Sequence, residues 1–75
     1  MSLPAVSGKD VFKALKRNGY VEVPSAASSH RHLQHPDKGS KVTIPIHGNR
    51  DLPKGTLNSI LNQAGITANE LVAML

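Results

Sequence analysis

The chain has 75 residues and a mass of 8.0 kDa, which is enough for one small domain with a thin, single core. It contains no cysteine, and this excludes a disulfide scaffold, an iron–sulfur protein and a zinc ribbon. Nine Lys and Arg against five Asp and Glu give a formal net charge of +4, which favours a polyanionic partner such as nucleic acid or an acidic protein. Phe12 and Tyr20 are the only aromatic residues, so we do not expect a protein that stacks single-stranded bases on aromatic side chains.

The hydropathy pattern predicts a chain that does not enter a membrane. No apolar run approaches the roughly 20 residues that cross a bilayer. The N-terminal segment MSLPAVSGKD has neither the charged nor the apolar region of a secretory signal. We therefore expect residues 1–75 to form a single cytoplasmic domain with no membrane partner.

The first part of the chain predicts a helix followed by a strand. Ser7 is placed to cap a helix that begins near Gly8, and apolar residues recur in it at helical spacing: Val11, Phe12 and Leu15. The Asn18-Gly19 pair ends this helix, since glycine adopts the left-handed conformation of a C-terminal cap. Residues 20–23 alternate in a strand pattern, and the small residues 25–29 predict a loop.

Residues 30–46 predict a β-hairpin. In the first strand, residues 30–35, Leu33 faces the core between Arg31 and His35, while His30, His32 and Gln34 share the opposite face. Residues 36–39 predict the turn, and residues 41–46 the return strand, with its apolar side chains on one face. Pro45 has no N–H to donate, so it is expected on an edge strand or where no ladder bond is needed.

The last third predicts a helix and a short terminal turn. Asp51 is the predicted N-cap, with Pro53 in the first helical turn. The spacing i, i+3, i+4, i+7 marks the buried face of this helix: Leu57, Ile60, Leu61 and Ala64. Gly65 ends the helix, and Thr67 with Glu70 forms a capping box for the terminal one.

This order of elements predicts an α+β fold, α-β-β-β-α with a short C-terminal helix. Two short helices cannot cover both faces of a three-stranded antiparallel sheet, so we expect both on one face. The other face is then left open, with His30 and His32 on it or at its edge.

Four motifs occur in a fixed order along the chain: Ser29-His30, His35-Pro36-Asp37, Ile44-Pro45-Ile46-His47, and Leu-Pro-Lys-Gly-Thr-Leu at 52–57. Together with the run SGKDVFKALKRNGYVEV, they resemble the HicA family of toxins over residues 7–75. The resemblance implies a fold like that of double-stranded-RNA-binding domains. It also implies the toxin of a type II toxin–antitoxin system, a ribonuclease that cleaves mRNA without metal or other cofactor. The partner implied is a HicB antitoxin that neutralises it.

The resemblance also places the catalytic residue. The family histidine follows a Gly-Ser pair and lies five residues before the histidine of the His-Pro-Asp turn, which makes it His30. Imidazole suits the removal of a proton from the ribose 2′-OH at neutral pH. RNA contacts are expected from Ser29, which precedes it, and from four basic residues: Arg31, Lys41, Arg50 and Lys54. Lys54 also lies at a helix start, which attracts anions. Ser28 stands where the family has glycine.

Alternatives remain for the histidines and for the function. Of His30, His32 and His35 only the first two share a strand face, and no cysteine completes a tetrahedron, so we expect no metal site. His32 and His35 are expected to be solvated surface residues. The basic face of the first helix is either an RNA contact or, as we favour, its solvent side: Lys9, Lys13, Lys16 and Arg17. Two rival functions are a non-catalytic double-stranded-RNA-binding module and a degenerate toxin that binds its antitoxin but cuts nothing, which Ser28 favours.

Overall fold

The structure is a computed structural model that describes residues 3–24 and 30–75. It contains six elements: α1 (Gly8–Arg17), β1 (Val21–Val23), β2 (His30–Gln34), β3 (Lys41–Pro45), α2 (Lys54–Ala64) and α3 (Ala68–Met74). The strands form one antiparallel sheet in the order β1-β2-β3. This confirms the predicted α+β fold, α-β-β-β-α with a short C-terminal helix. The predicted loop at 25–29 lies outside the described residues.

The capping residues in the sequence correctly predicted most of the helix ends. Ser7 caps α1, and its Oγ accepts a hydrogen bond from the N–H of Asp10 at 3.2 Å. Gly65 ends α2 in the left-handed conformation, with φ of 71°. Thr67 and Glu70 form the predicted capping box of α3, each side chain accepting from the other residue's N–H.

The predicted start of α2 is wrong. Asp51 does not cap the helix; α2 begins at Lys54, and its N-cap is Pro53, which makes no side-chain capping bond. The backbone of this segment pairs instead with the approach to α1, through a bridge between Ser7 and Asp51 and a 2.7 Å hydrogen bond from the Leu52 N–H to the Val6 carbonyl. This pairing keeps residues 51 and 52 extended, so the helix starts later.

The core lies on one face of the sheet. Leu33, Val42 and Ile44 contribute the strand side chains, and they are fully buried. α1 and α2 pack on this face against β3, and α3 packs against α1. The helices contribute these buried residues to the core: Val11, Phe12, Leu15, Leu57, Ile60, Leu61 and Leu71. In the part of the chain that the structure describes, no helix packs on the opposite face, as expected.

Tyr20 contributes to this core instead of the first strand. Its side chain is buried, and its hydroxyl donates a 2.9 Å hydrogen bond to the carbonyl of Ala64 at the end of α2. The strand therefore begins at Val21, one residue later than predicted.

The sheet register explains Pro45. His30 pairs with Pro45 and His32 with Thr43, and β3 is an edge strand. The Thr43 N–H points away from the sheet, where the side-chain oxygen of Gln63 accepts it at 2.8 Å. Pro45, two residues on, has the same orientation, so its missing N–H removes no ladder bond. Pro45 thus lies both on an edge strand and where no ladder bond is needed, the two alternatives that were predicted.

Within the described ranges, none of the helices has the length and hydropathy to cross a membrane. The longest, α2, has 11 residues, about half the number that a bilayer requires.

Candidate functional site

His30 lies at the end of the central strand, on the face that the helices leave open. It is the first residue of β2 and is exposed. Its side chain is on the same face as that of His32, two residues along the strand, and opposite to that of the buried Leu33. A general acid or base has to reach its substrate within hydrogen-bond distance, and this position allows that.

His32 is fixed by its cross-strand neighbour. Its Nδ1 lies 3.1 Å from the hydroxyl of Thr43, the residue directly opposite on β3. The side chain is half-buried. The structure thus corrects the expectation of a solvated side chain, because the narrow spacing of a non-hydrogen-bonded pair brings the ring and the hydroxyl together.

His35 stabilises the hairpin turn. Its Nδ1 accepts hydrogen bonds from the backbone N–H groups of Asp37 and Lys38, both at 3.2 Å. Its ring packs edge-to-face on Tyr20, with the ring centroids 5.0 Å apart. This residue is half-buried and structural, contrary to the expectation of a solvated side chain. Among residues 3–24 and 30–75, no three His, Cys, Asp or Glu side chains cluster as metal ligands.

Arg31 projects from the opposite face of β2 to His30. Its Nε donates to the carboxylate of Glu22 at 2.7 Å, and its guanidinium carbon lies 5.1 Å from the centroid of the Phe12 ring. The structure therefore does not bring this predicted RNA-binding residue onto the face of His30. An exposed ion pair of this kind adds about 0–1 kcal/mol to stability, so it leaves the arginine available for a ligand at little cost.

Lys41 is on the same face as His30 but at the other end of the sheet. It pairs with Gln34, whereas His30 pairs with Pro45. Lys41 and Pro45 are four positions apart on β3, which is about 13 Å at the usual rise per residue. The structure does not bring Lys41 next to His30. Ser29, the remaining predicted contact, lies outside the described residues.

Arg50 and Lys54 lie at the end of the sheet that carries His30. A depression of about 340 Å³ at the edge of β3 is lined by Pro45, His47, Arg50, Asp51, Leu52, Pro53 and Thr56. Because Pro45 is the strand partner of His30, this depression lies at the same end of the sheet as the candidate catalytic residue. Lys54 is the exposed first residue of α2, whose first turn contains no acidic residue. The N-terminal end of the helix dipole adds to the positive charge here.

His47 is a lining residue of this depression to which the sequence analysis gave no role. It lies two residues beyond Pro45, and the pairing of Pro45 with His30 places it at the same end of the sheet as His30. The predicted hairpin turn at 36–39 could have indicated this position, because the turn sets the register of the two strands.

One comparison with known proteins identifies the family. The model of the family described as "HicA toxin of bacterial toxin-antitoxin" matches residues 8–66. The match includes α1, the whole sheet and α2, and therefore His30, Arg50 and Lys54. No curated protein matches the chain.

Proposed function

The chain belongs to the HicA family, the toxins of bacterial toxin–antitoxin systems, and on that basis we propose that it is a ribonuclease that cleaves mRNA and uses His30 as its catalytic residue. The observation that carries the proposal is the position of His30, exposed on the open face of the sheet in a member of a toxin family. Such a ribonuclease needs no cofactor, because RNA supplies its own nucleophile, the 2′-OH.

In the proposed reaction, the imidazole of His30 takes the proton of the 2′-OH. The 2′-oxygen attacks the neighbouring phosphorus, and the bond from phosphorus to the 5′-oxygen breaks. The 5′-oxygen leaves with a proton from the imidazolium or from water, so the products are a cyclic phosphate and a 5′-hydroxyl. General acid–base catalysis of this kind contributes about 10²–10⁴-fold in rate. A slow enzyme suffices for a toxin that acts while unopposed.

The phosphate has to be held while this happens. Arg50 and the start of α2 at Lys54 support this role best, since both lie at the end of the sheet that carries His30. Cations there stabilise the charge that develops on the phosphate oxygens. Ser29, Arg31 and Lys41 stay predictions as RNA contacts.

The proposed inhibitor is a HicB antitoxin that covers the open face of the sheet. Covering this face would exclude RNA from His30 directly. A net charge of +4 on the toxin would speed its association with an acidic partner, and this affects the rate of binding more than the final affinity. A protein that cleaves mRNA would act in the cytoplasm, where its substrate is translated, and this location stays a prediction.

Expression in bacterial cells tests the proposal. Induction of the chain alone should arrest growth and degrade a reporter mRNA, and co-expression of the antitoxin should prevent both. His30→Gln should abolish both effects and still bind the antitoxin. His32→Gln is the matched control, because it changes the neighbouring histidine on the same face and should stay toxic.

Three results would contradict the proposal in different ways. Toxicity that persists with His30→Gln would remove this residue from the catalytic role. An inert parent chain that still binds the antitoxin would indicate a degenerate toxin, and an inert chain that binds double-stranded RNA would indicate the non-catalytic module.

A further inference from the structure

A groove runs between α1 and the end of the β2–β3 hairpin, on the face of the sheet opposite to His30. Its volume is about 560 Å³, and it is lined by Lys9, Phe12, Lys13, Arg31, Ile46, Gly48 and Asn49. The floor is apolar, since Phe12 is almost fully buried and Ile46 packs against the core. The rim carries three cations. We call this feature the α1 groove.

The charged residues that line the α1 groove are all cations: Lys9, Lys13 and Arg31. Lys9 and Lys13 are one helical turn apart, so their exposed side chains lie side by side on α1. Lys16 continues this row, with its Nζ 5.4 Å from the centroid of the Phe12 ring. None of the lining residues is acidic, and the nearby carboxylate of Glu22 is paired with Arg31.

The α1 groove begins next to the candidate catalytic residue. Arg31 follows His30 on β2, and their side chains leave the strand on opposite faces. Ile46 in turn follows Pro45, the strand partner of His30. His30 and the α1 groove therefore lie at the same end of the sheet, on its two faces.

We propose that the α1 groove binds the sugar–phosphate backbone of single-stranded RNA next to the nucleotide that is cleaved. Lys9 and Lys13 each neutralise a phosphate, and the apolar floor contacts a sugar. A nucleic-acid strand carries one charge on every nucleotide, whereas a protein surface mixes both signs, so a row of cations fits RNA better than an acidic protein. This inference rests on the proposed ribonuclease function and extends the RNA contacts to a second face.

A binding measurement separates this inference from catalysis. The probe is a labelled single-stranded RNA with 2′-O-methyl groups, which has no free 2′-OH and cannot be cleaved by the proposed route. Affinity is measured at several salt concentrations for the parent, for Lys9→Gln/Lys13→Gln and for Lys38→Gln. Lys38 is an exposed cation in the hairpin turn, away from the groove lining. All three changed residues are exposed, and thermal unfolding checks that each variant is folded.

The double variant should bind more weakly, and its slope of log K against log[salt] should be smaller in magnitude by about 1.4, or about 0.7 for each lost phosphate contact. The Lys38→Gln variant should keep the parent slope. An unchanged slope in the double variant, with RNA cleavage by the parent intact, would refute RNA binding by the α1 groove but not the proposed ribonuclease function. A parent that neither binds nor cleaves RNA would overturn both. Normal RNA binding with a loss of antitoxin affinity in the double variant would assign the groove to the protein partner and overturn the inference.

Discussion

The close approach of α1 to β3 depends on Gly8. This residue is buried, and a Cβ atom there would overlap the carbonyl oxygen of Pro45. The same atom would lie 3.2 Å from the Pro45 carbonyl carbon and 3.3 Å from Cγ2 of Ile44. The obstructing oxygen belongs to the backbone of a paired strand and cannot rotate away. We therefore expect Gly8→Ala to push α1 off the sheet.

The size of the effect follows from two opposing terms. Overpacking of this kind costs about 1–3 kcal/mol, and alanine gains at most about 1 kcal/mol over glycine from helix propensity. Because the added Cβ would overlap a backbone atom, the cost lies in the upper half of this range, about 2–3 kcal/mol. The net loss is then about 1–2 kcal/mol, which lowers the melting temperature by roughly 4–8 °C per kcal/mol in a domain of this size. Domains are stable by only about 0.05–0.15 kcal/mol per residue, so this is a sizeable fraction of the total.

Urea unfolding followed by circular dichroism measures this loss, and Gly55→Ala is the matched control. Gly55 is exposed in α2, and a Cβ atom there would meet no other atom within 4 Å. Alanine at Gly55 should therefore raise the free energy of unfolding by up to about 1 kcal/mol. The same substitution should thus lower the free energy of unfolding at Gly8 and raise it at Gly55. A Gly8→Ala variant as stable as the parent would refute the packing argument.

Three further predictions concern stability. Tyr20→Phe removes the buried 2.9 Å hydrogen bond to the Ala64 carbonyl, and should lower the unfolding free energy by about 1–2 kcal/mol; an unchanged urea midpoint would contradict this. Thr67→Ala removes the N-cap of α3 and should lower the free energy of unfolding by about 0.5–2 kcal/mol. Relative to the parent, amide exchange should become faster in α3 by more than in α2. Hydrogen bonds from the backbone N–H and then the side chain of Thr67 lower the pKa of Glu70 below its ordinary 4.5. The stabilisation by Glu70 is therefore present at neutral pH and is lost as the pH falls through the lowered pKa. The difference in unfolding free energy between the parent and Glu70→Gln should then close in acid, and a difference that stays constant from neutral pH until Glu70 is protonated would contradict this.

Interactions between residues close in the chain could be predicted from the sequence. The caps at Ser7 and Thr67 and the turn at Gly65 depend on a few neighbouring residues, and all three were confirmed. The apolar spacing likewise predicted which face of α1 and of α2 is buried. The error at Asp51 has the opposite cause, because that backbone pairs with Ser7, far away in the chain.

In the candidate site, too, only the local features could be predicted from the sequence. Strand alternation was enough to put His30 on the open face, while its proposed role came from the resemblance. The positions of the cations depended on register and packing. Register separates Lys41 from His30, and the packing of α1 against the hairpin brings Lys9 and Lys13 to the same groove as Arg31. The hairpin turn contains the information on register, but no local pattern contains the packing of α1 against the hairpin.

The most direct test of the central claim is RNA cleavage by the purified chain in the presence of EDTA. The substrates are a defined RNA and the same RNA with a single 2′-deoxy nucleotide at the cleaved position. We predict that the parent cleaves the RNA but not the 2′-deoxy substrate, and that His30→Gln lowers the rate by about 10²-fold or more. Cleavage by His30→Gln at the parent rate, or cleavage of the 2′-deoxy substrate at the same position, would contradict the account.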